Sequence, residues 1–405
     1  MKSYRRLWMV AVIAAFLGGC AGENEDGSRG ALAIMNGVPD APRVADHSAA
    51  SPGGAFGNPT PSPSSMTPST EPPRSAPMDA SSGAAGAGAG ANPVPPGEDT
   101  EEPARPNTQS GTLTAGAWDD NLNFDRFSEQ RTELLQARAA GALPTTDKEH
   151  AAAQERWGAD RAPNSLLDIA LVIDTTGSMG DEITYLQTEL TAISQSIEAR
   201  YPDAEQRWSL IVYRDDTDEY VTRVFAFTGD IAELRGHLLK QNANGGGDFP
   251  EAPDAALAAM NDLEWRTEGG IARLAFWVAD APHHADDAEL MADAIRGSSE
   301  LDVHIYPVAS SGIDDLTELT MRSAAQLTGG RYLFLTDDSG VGGEHKEPNL
   351  PCYFVTRLDQ AMLRMVDIEM TGEYREPEEN QIIRTGGDPE DGACTLASGE
   401  EVEVF

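Results

Sequence analysis

The stretch DIALVIDTTGSMGDEI, at residues 168–183, decides how this chain folds. It contains an apolar run from Ile169 to Ile173, which is typical of a strand that is buried on both faces of a parallel sheet. Three polar side chains, those of Asp174, Thr176 and Ser178, follow the run. Because open α/β sheets bind ligands at the carboxyl ends of their strands, the stretch predicts a ligand site where this strand ends.

Between about residues 166 and 371, apolar runs alternate with helical patterns. After the first strand, further strands are predicted at 207–215, 219–228, 271–280, 302–310 and 331–335. Helices are predicted at 183–199, 231–241, 253–263, 286–296, 314–327 and 355–368. Such alternation predicts an α/β fold with a doubly wound, mostly parallel sheet and helices on both faces.

A second strand-end carboxylate accompanies the first. The segment FWVADAPHH, residues 276–284, ends an apolar strand on Asp280. Mg²⁺ prefers six hard oxygen ligands and keeps several waters, so two hydroxyls and two carboxylates make a suitable partial shell. The alternative is that Thr176 or Ser178 only caps the following helix. In that case Asp174 satisfies the turn. Capping explains one hydroxyl, but it does not explain two aspartates at neighbouring strand ends.

These two segments resemble von Willebrand factor type A domains. DTTGSMG is similar to their metal-ion-dependent adhesion motif, Asp-x-Ser/Thr-x-Ser, and FWVADAPHH is similar to the later strand that ends on a metal-site aspartate. The resemblance implies a type A domain over residues 166–371 that binds Mg²⁺, or Mn²⁺ or Ca²⁺ in its place. It also implies a partner, a protein or an extracellular matrix or polysaccharide ligand, that offers a carboxylate to the cation.

The loop GGGDFPEAPDAAL, residues 245–257, departs from that family. The family usually has a threonine ligand in this loop, and here Gly247 stands near its position. The loop resembles the Gly-Gly-Gly-Asp-x-Pro-Glu loop of hemicentin-like extracellular proteins. Either Asp248 or water would then replace the threonine, and Glu251 is predicted to cap the next helix.

Two other polar clusters are predicted to be structural. A transition-metal site at His283 and His284 is disfavoured, because adjacent side chains in an extended segment point apart and no cysteine is near. Both histidines are predicted to be solvent-exposed loop residues. The acidic residues between Asp215 and Glu219 are predicted to form a solvated hairpin tip.

The first twenty residues, MKSYRRLWMVAVIAAFLGGC, have the layout of an export signal. The LGGC ending resembles a bacterial lipobox, which makes residues 1–19 a lipoprotein signal peptide and Cys20 the lipidated residue. Ala21 stands where an aspartate would typically retain a lipoprotein at the inner membrane. The prediction is therefore a chain anchored by its lipid in the bacterial cell envelope, at the outer membrane.

Composition divides the remainder of the chain. Residues 20–110 are predicted to be a disordered tether rich in Pro, Ala, Gly and Ser, since 15 of the 26 prolines lie between Pro39 and Pro106. Residues 111–165 are predicted to be an N-terminal helical extension, and residues 372–405 a C-terminal acidic tail. Cys352 and Cys394 either form a disulfide in an oxidising compartment or remain free thiols.

The charge balance restricts the function. There are 29 Lys and Arg against 67 Asp and Glu, a net charge of −38, so nucleic acid is excluded as a partner because phosphate binding needs clustered basic residues. An enzyme that uses Mg²⁺ for phosphoryl transfer or hydrolysis is one alternative, but no general base or phosphate-binding lysine stands beside Asp174. TGSMG also lacks the glycine of a nucleophile elbow.

The sequence thus favours a non-enzymatic envelope lipoprotein that binds a macromolecule through a divalent cation, in adhesion or in assembly of an envelope complex. A structural spacer with a vestigial metal site is the other alternative.

Overall fold

The computed structural model describes residues 112–137, 140–158, 162–247, 249–341, 343–390 and 392–405. The predictions for the signal peptide, the tether, Cys20 and Asp248 fall outside these described residues. Within them, no helix is both long and apolar enough to cross a membrane.

The described part of the chain forms eleven strands and eight α-helices. The strands are β1 Thr114–Trp118, β2 Leu166–Asp174, β3 Glu205–Tyr213, β4 Thr222–Thr228, β5 Ile271–Ala279, β6 His304–Ala309, β7 Tyr332–Leu335, β8 Tyr353–Arg357, β9 Arg384–Gly386, β10 Ala393–Thr395 and β11 Glu401–Glu403. The helices are α1 Phe124–Ala137, α2 Asp147–Trp157, α3 Gly180–Arg200, α4 Ile231–Leu238, α5 Pro253–Asn261, α6 Ala288–Glu300, α7 Asp315–Thr328 and α8 Leu358–Thr371.

Nine strands build one sheet in the order β4-β3-β2-β5-β6-β7-β1-β8-β9. Strands β3, β2, β5, β6 and β7 run parallel, whereas β4, β1 and β9 pair antiparallel with their neighbours. The predicted α/β fold with a mostly parallel sheet is therefore confirmed.

The apolar run in β2 explains the two-sided core. Ile169, Leu171 and Ile173 pack into the cluster on one face of the sheet. Ala170 and Val172 belong to the cluster on the other face. Successive side chains in a strand point to opposite faces, so a strand that is covered by helices on both sides needs apolar residues at every position.

The segment 111–165 contributes more than the predicted helices. Its strand β1 lies between β7 and β8, with Gly116 opposite Phe334. A Cβ at Gly116 would lie 2.2 Å from Cζ of Phe334, so only glycine fits beneath that ring. The predicted helix at 355–368 is also corrected: residues Tyr353–Arg357 form β8, and α8 begins at Leu358.

The segment 372–405, predicted to be an acidic tail, folds onto the domain. Its strand β9 pairs with β8, and β10 pairs with β11 in a second, two-stranded sheet. The side chains of Val402, Val404 and Phe405 are buried. Buried apolar residues alternate here with exposed acidic ones, which is why the acidic composition concealed a packed segment.

Cys352 and Cys394 form a disulfide with a Cα–Cα distance of 6.2 Å and a sequence separation of 42 residues. Cross-linking a loop of that length restricts the unfolded chain by roughly 3–4 kcal/mol. We expect the double variant Cys352→Ser/Cys394→Ser to lose stability of about that size in urea denaturation. Reductant should lower the urea midpoint of wild type to that of the double variant. An unchanged midpoint would contradict a stabilising role for the disulfide.

Helix α2, which lies in the segment predicted to be a helical extension, is fixed to the domain by a buried histidine. Thr146 and Glu149 form a capping box at its start. The ring of His150, 2% exposed, contacts Gln326 (Nδ1 to Oε1, 2.6 Å) and Thr145 (Nε2 to Oγ1, 2.9 Å). Burial lowers the pKa of His150 to about 4.

This pKa makes stability depend on pH. Below pH 6.5 the unfolded chain takes up a proton at this histidine that the folded chain does not take up until about pH 4. Acidification through this window should therefore remove roughly 3 kcal/mol of stability, at about 1.4 kcal/mol per pH unit. Denaturation between pH 4 and 7 should show a difference of this size between the slopes of wild type and His150→Gln, because the raised pKa values of the buried carboxyls contribute to both proteins alike. Equal slopes would contradict the assignment.

Candidate metal centre

The candidate site lies where β2 and β5 end side by side. The two strands are paired in parallel up to Ile173 and Val278, so Asp174 and Asp280 lie at neighbouring strand ends. After Asp174 the chain turns through a 3₁₀ turn at Gly177–Met179 into α3. This strand, turn and helix hold the polar side chains at the edge of a rigid sheet.

Asp174 is fixed by the turn that follows it. Its Oδ1 accepts hydrogen bonds from the backbone N of Thr176 at 2.8 Å and from Oγ1 of Thr176 at 2.6 Å. The Thr176 and Ser178 hydroxyl oxygens lie 3.4 Å apart. The two hydroxyls and the carboxylate therefore form one group of oxygens, with Ser178 on the exposed side.

Two carboxylate oxygens at this edge make no hydrogen bond. They are Oδ2 of Asp174 and Oδ1 of Asp280, in side chains of residues that are 0% and 5% exposed. An unpartnered buried carboxylate oxygen is costly, because it has lost its hydration without gaining a donor. A cation ligand at each of these atoms would remove that cost.

The charges at this edge repel one another. Burial and then the charge of Asp280 raise the pKa of Asp174 to about 7, although hydrogen bonds from Thr176 oppose the rise. Burial also raises the pKa of Asp280 to about 6, with Glu182 adding to the effect. A divalent cation between them would relieve this repulsion.

The donor set fits Mg²⁺ better than a softer metal. Carboxylate and hydroxyl oxygens are the ligands that Mg²⁺ takes, together with retained waters. Within the described residues, no three His, Cys, Asp or Glu side chains are grouped so that they could hold a metal ion on their own. The Thr176 and Ser178 hydroxyls and water would therefore complete the shell of an ion at Asp174 and Asp280.

The glycine loop covers the site from one side. Gly245 and Gly246 have φ angles of 82° and 67°, a region that favours glycine. The Gly245 carbonyl accepts a hydrogen bond from the N–H of Gly177 at 3.2 Å, and Asp218 Oδ2 accepts one from that of Gly246 at 2.9 Å. A Cβ at Gly247 would meet no atom within 4 Å, so open space lies where the family threonine was expected.

Sequence reasoning missed two buried acids beside the site. Glu182, 0% exposed, accepts a hydrogen bond from the Ser311 hydroxyl at 2.8 Å. Glu251, 3% exposed, was predicted to cap α5, but α5 begins after Ala252 without a side-chain cap. Two sequence features could have pointed to these acids. Glu251 follows a proline in the glycine loop, and Glu182 lies in the first turn of α3.

The prediction that both histidines of the DAPHH turn are exposed is wrong. His283 is 1% exposed, and His284 Nε2 lies 2.6 Å from Oδ1 of Asp215, itself 3% exposed. The segment turns inward because the Glu251 N–H donates to the Pro282 carbonyl at 2.9 Å. Asp215 therefore belongs to the interior and not to a solvated hairpin tip.

An open cleft of about 590 Å³ gives access to the site. Thr176, Ser178 and Asp280 line its floor together with Glu251. Phe249, 46% exposed, also lines the cleft. An incoming group could therefore approach the site from solvent on the side of the exposed Ser178.

The segment that carries these features agrees with a known family. Residues 168–330 match the family described as the von Willebrand factor A domain. The matched region contains Asp174, Thr176, Ser178 and Asp280. A von Willebrand factor A domain indicates a protein-interaction or adhesion-type function, and such domains are typically not enzymes. The finer likeness to hemicentin-like proteins stays a prediction.

Two known proteins are each similar to part of this chain. The putative ariadne-like RING finger protein R811 of Acanthamoeba polyphaga mimivirus is 28% identical over 189 residues, which is 42% of this chain and 18% of that protein. The chain thus spans under a fifth of that relative's length. The solved structure of the conserved hypothetical protein BatB from Bacteroides thetaiotaomicron is 16% identical, with a TM-score of 0.31, covering 42% of this chain and 89% of that one.

Proposed function

We propose that this protein binds a macromolecular partner through a divalent cation, Mg²⁺ in the first place, held by Asp174, Thr176, Ser178 and Asp280. The observation that carries the proposal is the pair of unpartnered, buried carboxylate oxygens at two neighbouring strand ends. The open cleft beside them supports it, because a partner can reach the ion there.

The ligand types suit binding of an acidic partner. Thr176 and Ser178 are neutral ligands, so they leave part of the charge of the ion uncompensated. When bound, the cation would supply a Lewis acid that attracts a carboxylate in exchange for water. The partner is then a protein, matrix or polysaccharide ligand that presents a carboxylate.

The arrangement favours binding over phosphoryl transfer. That reaction would need a cationic side chain to hold phosphate and a general acid or base. Among the described residues that line the cleft, none is a lysine, arginine or histidine. Asp174 is 0% exposed and one of its oxygens is bonded to Thr176, which makes it poorly placed as a nucleophile. We therefore propose that the protein is not an enzyme.

The proposed place of action rests on the sequence of residues 1–20. We propose that lipid on Cys20 anchors the protein in the bacterial envelope, at the outer membrane, and that residues 20–110 separate the folded part from the anchor. A Cys20→Ser protein should then lose its lipid and its membrane association. Retention of both would contradict the anchor.

The experiment that tests the function is affinity capture from the cell envelope, with the immobilised protein in Mg²⁺ and in EDTA. We expect one or more envelope components to be retained in Mg²⁺, released by EDTA and not captured by Asp174→Ala. Capture that is equal in EDTA would contradict a role for the cation. A protein that captures nothing and binds no Mg²⁺ would support the spacer alternative.

A further inference from the structure

Glu251 lies at the metal centre because its backbone is fixed there. Its N–H donates to the Pro282 carbonyl at 2.9 Å, and residues Glu251 and His283 form an isolated parallel bridge. The bridge joins the glycine loop to the segment directly after Asp280. The side chain of Glu251, which lines the cleft, is therefore held close to both strand-end aspartates.

The carboxylate of Glu251 has no protein partner for one of its oxygens. Oε2 makes no hydrogen bond, although the residue is 3% exposed. Oε1 shares a narrow space with Thr176: a Cβ built on Gly246 would lie 2.7 Å from that oxygen and 3.1 Å from the Thr176 Cβ. The acid and a proposed metal ligand thus border the same small volume.

Four aspartates act on the charge of Glu251. Burial and then the charges of Asp174, Asp215, Asp280 and Asp218 raise the pKa of Glu251 to about 9. A buried acid with an unpartnered oxygen among like charges destabilises the metal-free fold. Packing alone therefore does not explain a glutamate at this position, whereas a nearby cation would.

The described residues are not arranged for direct ligation of an ion by three carboxylates. No group of three His, Cys, Asp or Glu among the described residues is arranged so that it could hold an ion. Mg²⁺ keeps several of its waters, and protein groups that hydrogen-bond those ligands orient them. The space at Gly247, where the family threonine was expected, is open. A water bound to the ion would occupy the place of the threonine side chain there.

We propose that Glu251 is a positioning residue of the metal centre that accepts a hydrogen bond from a water bound to the cation, in place of the missing threonine ligand. The proposal rests on the cation function proposed above. Asp248 or water was predicted from the sequence to replace that threonine. The proposal instead assigns the role to a water held by Glu251, a residue outside the adhesion motif. Because Glu251 lies in the glycine loop, this loop would then contribute to selectivity for Mg²⁺ over Ca²⁺.

The test is calorimetric titration of the full chain with Mg²⁺ and with Ca²⁺. We expect Glu251→Gln to weaken Mg²⁺ binding by about 10- to 100-fold, the usual range for loss of such a supporting group. Ca²⁺ should lose less, because it exchanges waters for protein oxygens more readily. The melting temperature of the metal-free variant should be unchanged or higher, which a purely structural role would not produce.

Glu344→Gln is the matched control, because it removes one exposed negative charge from the lining of the same cleft. It should change Mg²⁺ affinity much less than Glu251→Gln does, and an equal loss would overturn a specific role for Glu251. If Glu251→Gln does not fold, Glu251→Asp keeps the charge and withdraws the carboxylate by one methylene. Weakened Mg²⁺ binding in that variant supports the proposal, and wild-type affinity overturns it.

The outcomes separate this proposal from the proposed function. If wild type binds no Mg²⁺, the proposed cation site is wrong and Glu251 has no ion to serve. If wild type binds Mg²⁺ and Glu251→Gln binds it equally, the cation site stands and the role of Glu251 is wrong. Water proton relaxation with bound Mn²⁺ gives a second measure, since Glu251→Gln should change the exchange rate of the bound water.

Discussion

Asp174→Ala is expected to abolish Mg²⁺ binding and to leave the metal-free protein equally stable or slightly more stable. The side chain would supply a carboxylate ligand, so its loss removes the ion. In the metal-free fold the same side chain is buried, leaves one oxygen unpartnered and is repelled by Asp280. Calorimetric titration with Mg²⁺ and thermal melts of the metal-free protein measure the two effects.

Asp254→Asn is the control for that experiment. Asp254 is also buried, and burial followed by the charge of Asp287 raises its pKa to about 6. It lies in the first turn of α5, and it does not line the cleft at the metal centre. Mg²⁺ binding should therefore persist in this variant. If Asp174→Ala binds Mg²⁺ as wild type does, the site is wrong, and if it unfolds, the aspartate is a structural cap.

Asp168→Ala is expected to cost about 3–5 kcal/mol of folding free energy, the typical loss when one partner of a buried ion pair is removed. Asp168 is 0% exposed near the start of β2. It accepts hydrogen bonds from Arg207 Nε (2.9 Å) and Nη2 (2.6 Å), and from Arg266 Nε (2.9 Å). Burial alone would raise its pKa, but these hydrogen bonds outweigh it and the pKa is lowered.

Urea denaturation measures this loss, and an exposed ion pair provides the comparison. Glu219 contacts Arg223 at 2.9 Å with side chains that are 71% and 40% exposed. Glu219→Gln should cost well under about 1 kcal/mol, because solvent screens exposed pairs. Equal losses in the two variants would contradict a buried ionic anchor at Asp168. Asp168 lies at the opposite end of β2 from the metal centre, so folded Asp168→Ala should still bind Mg²⁺.

Burial explains which strands could be predicted from the sequence. Strands β2 and β5 are covered on both faces, so each contains a continuous apolar run, Ile169 to Ile173 in β2 and Leu274 to Ala279 in β5. Strand β1 has only the residues TAGAW, and its partners lie more than 200 residues away, as in the pair of Ala115 with Leu335. A short strand whose pairing is so distant leaves no local pattern to recognise.

The candidate metal centre was predictable to the extent that its residues lie within short, continuous sequence motifs. Asp174, Thr176 and Ser178 alternate within one short motif, and Asp280 directly follows the neighbouring strand. Glu251 reaches the same place through a backbone bridge to the segment after Asp280, which no spacing in the sequence reveals. His283 is turned inward by the same backbone bridge to Glu251. Contacts between loops thus determine what periodicity cannot show.

The most direct test of a cation centre at Asp174 and Asp280 is calorimetric titration of metal-free wild-type protein with Mg²⁺ at neutral pH. The geometry of the two strand ends predicts saturable binding of one ion per chain, with a rise in melting temperature as the ion stabilises the folded state. A titration without saturable heat at millimolar Mg²⁺, together with a melting temperature that Mg²⁺ does not change, would contradict it.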